Sequence, residues 1–80
     1  MRLDKFLKVS RLIKRRTVAN EACDNGRVLV NGRTARASYD VKVGDRISIQ
    51  FGQRTLNVEV LDVAETVRKD DAVGLYREIP

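Results

Sequence analysis

RLDKFLKVSRLIKRRTVANEACDNGRVLVNG, residues 2–32, changes its hydrophobic period once, and the change falls at Gly26. Before it, Leu3, Phe6, Leu7 and Ile13, with Ser10 between them, recur at helical intervals, while Lys5, Lys8 and Arg11 fall on another face. This is the pattern of an amphipathic helix with a basic flank. Lys14-Arg15-Arg16 reads as a polar link, and Thr17 offers a side-chain oxygen to cap a second helix with Val18, Ala19, Ala22 and Cys23 inward. Gly26 suits the left-handed residue that ends such a helix. Beyond it Val28 and Val30 alternate with Arg27 and Leu29, and Asn31-Gly32 is the strongest short-range signal for a two-residue hairpin.

Working outward, only the first residues of the stretch Arg33 to Tyr39 read as strand. Val41 and Val43 lead into a turn at Gly44-Asp45, after which Ile47, Ile49 and Phe51 alternate with Arg46, Ser48 and Gln50 as a half-buried strand. Gly52-Gln53 forms the next hairpin, and Leu56, Val58 and Val60 continue on the returning strand. Near the end, Ala72, Leu75, Tyr76 and Ile79 share the spacing of one helical face after the caps Asp70 and Asp71, with Gly74 against it. The expected class is α+β: two short N-terminal helices packed on a small, mainly antiparallel sheet, with a short C-terminal tail or helix. All 80 residues are expected to form a single domain, with a core motif over 2–49 and a C-terminal strand and tail over 54–80.

Charge points to a partner. Residues 1–16 carry seven Lys and Arg against one acid, Asp4, whereas the other 64 residues hold nine bases against ten acids. A basic cluster confined to one end marks a surface that meets a polyanion, with nucleic acid ahead of membrane or acidic protein. The candidate nucleic-acid-binding residues are Arg2, Lys5, Lys8, Ser10, Arg11, Lys14, Arg15, Arg16 and Thr17. Arginine forks suit phosphate oxygens bidentately and lysines add mobile point charges. Arg15 and Arg16, preceding the Thr17 cap, would lie next to the positive end of the second helix's dipole and form a phosphate seat. Ser10 has a competing role in close packing and Thr17 in capping; Asp4 belongs to the start of the first helix. Phe6 and Phe51 fall on apolar faces, and Tyr39 and Tyr76 lie outside the basic segment. Recognition of a folded RNA by backbone and groove shape is therefore favoured over stacking of single-stranded bases.

Several classes are disfavoured. The chain has no histidine, and its lone Cys23 has no imidazole to activate it and reads as a small buried thiol. No metal-ligand spacing or glycine-rich phosphate loop occurs; Glu59, Asp62, Glu65, Asp70 and Asp71 read as a solvated acidic face. No catalytic residue, metal or cofactor is expected. No apolar run is long enough for a membrane span, and the N-terminus is expected to be neither signal peptide nor anchor, so a cytoplasmic location is the expectation.

Arg2-Leu3-Asp4-Lys5-Phe6-Leu7, Ser10-Arg11, Arg15-Arg16-Thr17, Ala22, Gly26-Arg27-Val28-x-Val30-Asn31-Gly32 and Val43-Gly44-Asp45-x-Ile47 together resemble the signature of the S-four RNA-binding domain. The resemblance implies the alpha-L fold of that family. With little chain outside the motif for a catalytic partner, the sequence is most similar to the stand-alone, ribosome-associated members: small heat-shock proteins that bind free large subunits, and relatives in ribosome-associated quality control. It implies a monomer that docks ribosomal RNA of the large subunit, with transfer RNA carrying a stalled nascent chain as a second partner. Two alternatives stay open: an RNA-binding module assisting RNA modification or ribosome assembly, and an adaptor using its basic helix on an acidic protein.

Overall fold

The computed structural model describes residues 1–64, 68, 72 and 74–80. Helix α1 (Leu3–Val9) and helix α2 (Arg16–Asp24) are followed by strands β1 (Val28–Val30), β2 (Arg33–Thr34), β3 (Arg46–Phe51), β4 (Arg54–Val60) and β5 (Tyr76–Glu78). The strands form one sheet in the order β2-β1-β3-β4-β5, with every neighbouring pair antiparallel. This is the α+β arrangement expected from the sequence.

Alternation positions the core. Val28, Val30, Ile47, Ile49, Val58 and Val60 are buried on one side of the sheet, and Leu3, Phe6, Leu7, Ala19 and Cys23 of the helices complete the same cluster. Each large apolar side chain buried this way contributes about 1.5–3 kcal/mol relative to exposure. Both hairpins have the geometry their sequences require. Asn31 and Gly32 have φ of 53° and 83°, the two left-handed positions of a type I′ turn, with Val30 opposite Arg33. At the second, Gly52 has φ 61° and Phe51 is paired with Arg54.

Three local expectations are corrected. First, α1 ends at Val9, so Arg11 is not on the helical face with Lys5 and Lys8 and Ile13 reaches the core from beyond the helix. The Ser10 hydroxyl donates to the Leu7 carbonyl at 3.3 Å, and Arg11 turns left-handed at φ 63° with its N–H donating to the Lys8 carbonyl at 3.0 Å. Second, α2 starts before Thr17: Arg15 is its extended N-cap, no side chain caps it, and Thr17 is an exposed residue of its first turn. Val18 is turned outward at 48% exposure: the buried stripe of α2 is Ala19 and Cys23, one helical turn apart, and Val18 lies on the adjoining face. Third, the C-terminal segment adds a strand instead of a helix. Leu75 is buried, Tyr76 to Glu78 pair with Val58 to Val60, and Arg77 Nε donates to Glu59 Oε1 at 2.9 Å. Sheet-edge hydrogen bonds outweigh a weak helical spacing already interrupted by Gly74. The expected caps Asp70 and Asp71, and Glu65 of the expected acidic face, lie outside the described residues.

Candidate nucleic-acid interface

Asp4 organises the basic segment. Its side chain is 3% exposed, yet it lies between two arginines that are about half exposed, Arg2 at 50% and Arg16 at 46%. Arg2 Nε donates to Asp4 Oδ1 at 3.1 Å and Arg2 Nη2 to Oδ2 at 3.4 Å; Arg16 Nε is 3.5 Å from Oδ2. Asn20 Nδ2 donates to Oδ2 at 3.2 Å and the Lys5 N–H to Oδ1 at 2.8 Å. One carboxylate on α1 thereby ties down α2, sixteen residues away at Asn20, and fixes the guanidinium groups at the start of both helices. Burial alone would raise the Asp4 carboxyl, but the hydrogen bonds from Arg2, Asn20 and the Lys5 amide, with the charge of Arg16, hold it below the usual carboxylate value. Arg2 uses part of its donor fork on Asp4, Arg16 is held beside it by charge at 3.5 Å, and both guanidinium groups keep donors at the surface.

The two helix starts differ in what their backbone donors can do. At α1 the N–H groups of Leu3 and Asp4 donate to the carbonyls of Tyr39 and Ala37 at 2.8 and 3.1 Å, so that end is closed by its own loop. At α2 the N-cap Arg15 makes no side-chain cap, and Arg15, Arg16 and Thr17 are exposed around the first turn. The positive end of α2 thus opens onto the basic surface, where an anion is favoured. Lys8, Arg11 and Lys14 are also exposed, while Lys5 is partly buried beside Asp4. Ser10 does not join them: it is 1% exposed and its hydroxyl is used by Leu7.

Sequence reasoning missed other parts. The link from Asp4 to Arg16 and Asn20 has no helical or strand spacing and emerges only when the helices pack. Arg33 and Arg36 border a groove of about 660 Å³ beside the first hairpin, adding positive charge away from the N-terminal segment. Phe51, expected on an apolar face, is 44% exposed at the end of β3, where it lines an open groove instead of joining Ile47 and Ile49 in the core. Tyr39 is committed elsewhere: its hydroxyl donates to Asp45 at 3.0 Å. Cys23 is buried, and burial with the nearby charges of Asp4 and Asp24 pushes its thiol up to about 11, leaving it protonated and unreactive at neutral pH.

The S4 domain model matches residues 1–47, which span both helices, the first hairpin and the start of β3. The chain belongs to the S4 domain family. This S4 domain is 60% identical over 76 residues to the RQC P-site tRNA stabilizing factor of Halalkalibacterium halodurans, covering 95% of this chain and 86% of that one. It is 54% identical over 76 residues to the factor of the same name in Bacillus subtilis, covering 95% and 88% respectively. Among solved structures, it superposes on Vibrio cholerae Heat Shock Protein 15 with a TM-score of 0.92 at 31% identity, covering 99% of this chain and 81% of that chain. The relatives' names are those of binding factors rather than enzymes.

Proposed function

We propose that this S4 domain is a ribosome-associated RNA-binding factor of the cytoplasm that docks ribosomal RNA on the separated large subunit, stabilises a transfer RNA carrying a stalled nascent chain, and acts by binding alone. The observation that carries this reading is the pair of exposed arginines, Arg2 and Arg16, held in place by the buried Asp4 within the basic N-terminal segment. Preset forks lose little freedom when they engage phosphate, and flanking flexible lysines add charge without demanding a single geometry. Arg2, Lys5, Lys8, Arg11, Lys14, Arg15, Arg16 and Thr17 form the contact surface, with Ser10 holding the turn that presents Arg11. Arg33 and Arg36, on the hairpin, extend positive charge toward a second RNA. The names of the relatives support the transfer-RNA half of the reading.

Sedimentation of the tagged protein with fractionated ribosomes tests it. Co-migration with separated large subunits, strengthened by peptidyl-transfer RNA and lost after nuclease treatment, is the expected result. Association that survives nuclease would instead identify a protein adaptor, and binding to isolated RNA substrates but not to subunits would identify a module serving RNA modification or assembly.

A further inference from the structure

Phe51 and Val18, 44% and 48% exposed, both line one groove of about 470 Å³ that brings the end of β3 together with α2 and the link before it. Leu12 contributes to the apolar lining, Lys14 and Arg27 supply positive charge, Gln50 adds an amide, and among the described residues no acidic one lines the groove. From this juxtaposition we infer that the groove accepts one unpaired nucleobase of the bound RNA, stacked on Phe51, with its phosphates at Lys14 and Arg27.

The inference rests on the RNA-binding reading above and adds a contact that the basic helices do not make. A nucleotide combines a flat π-face with an anionic linkage, and this groove combines an open aromatic ring with the cations Lys14 and Arg27. Lys14 belongs both to the groove and to the basic segment, so one RNA strand can continue from the Arg16 surface to Phe51. A paired base is excluded because its face is already covered by its neighbours; a splayed or looped nucleotide has the face to offer. Gln50 can donate to and accept from the edge of such a base. An acidic, apolar peptide has some of the same chemistry, but the continuity through Lys14 favours RNA.

The test compares the parent, Phe51→Leu, Phe51→Tyr and Arg16→Ala for affinity to separated large subunits over a salt series, with chemical probing of base reactivity in the subunit RNA. Because Phe51 is a partly exposed hairpin residue, Phe51→Leu should unfold close to the parent, and a thermal melt checks this. Loss of the ring should weaken binding by on the order of tenfold without changing the salt slope, since no charge is removed. Phe51→Tyr should restore it. A specific base protected by the parent and by Phe51→Tyr should become reactive in the Phe51→Leu complex. Parent-like affinity of Phe51→Leu, or weaker binding with no base changing reactivity, would overturn the inference; the latter would place a peptide in the groove. Either outcome leaves the RNA-binding reading intact if Arg16→Ala still weakens binding, whereas a parent that fails to bind subunits overturns both.

Discussion

Residues 10–17 and residues 25–32 both carry the chain out of a helix through left-handed backbone, and they do it with opposite chemistry. After α2 the stop is Gly26 at φ 73°, with its N–H donating to the Cys23 carbonyl at 3.1 Å and that of Arg27 to Ala22 at 2.9 Å. These are the two hydrogen bonds of a Schellman motif. After α1 the equivalent residue is Arg11 at φ 63°, a side chain where glycine is the low-energy choice. The next helix then starts with Arg15 at its N-cap and no side-chain cap. Local rules are obeyed where the chain only turns and broken where it presents charge, as expected of a segment under functional constraint.

Removing the central carboxylate should have the largest effect on this comparison. Asp4→Ala leaves Asn20, the Lys5 amide and two arginines without their shared acceptor, and should cost about 2 kcal/mol, moderated by the half-exposure of both arginines. Urea unfolding should show it, and binding to large subunits should weaken although the protein has gained net positive charge. Stronger binding would mean that charge, not geometry, governs the surface. The same contacts give a pH signature. Since the folded Asp4 carboxyl lies below its ordinary value, its stabilisation is present above about pH 4 and is lost as the pH falls through the folded value. The parent should therefore lose more stability than Asp4→Asn between about pH 5 and pH 2; equal losses would remove Asp4 from the acid response.

Exchanging the two helix stops sharpens the contrast with smaller changes. Gly26→Arg should cost about 1 kcal/mol, because a left-handed arginine is strained even though a Cβ there meets only Thr34 Cγ2 at 3.9 Å. Arg11→Gly should leave the melting temperature equal or slightly raised, since relief of strain is opposed by a more flexible unfolded chain. Its affinity for large subunits should nevertheless fall. A destabilised Arg11→Gly with parent-like binding would make Arg11 a structural residue.

The elements that were legible in the sequence are those whose signal is local. Period-two alternation located β3 and β4, Asn31-Gly32 specified a type I′ turn, and Gly26 marked the end of α2. The early end of α1 was hidden because Arg11 occupies a position that glycine would have announced. The start of α2 was hidden because no side-chain cap marks it and Thr17, which has the chemistry of a cap, lies inside its first turn, and β5 because its strand character comes from β4 beside it. At the interface, the basic residues could be read as a charge cluster, but the clasp that orders Arg2 and Arg16 could not. Phe51 was misplaced for a related reason: alternation identifies a face of the sheet, while tertiary packing decides how far along that face burial extends.

The most direct test of the claim that a preset arginine surface binds RNA phosphate is a salt titration of subunit binding by the parent, Arg16→Lys and Arg16→Ala. Arg16→Lys retains the charge and loses the fork, so it should keep the parent's slope of log affinity against log salt while binding several-fold more weakly. Arg16→Ala should lose affinity and flatten the slope by about one unit. An Arg16→Ala protein with the parent's affinity and slope would contradict the account.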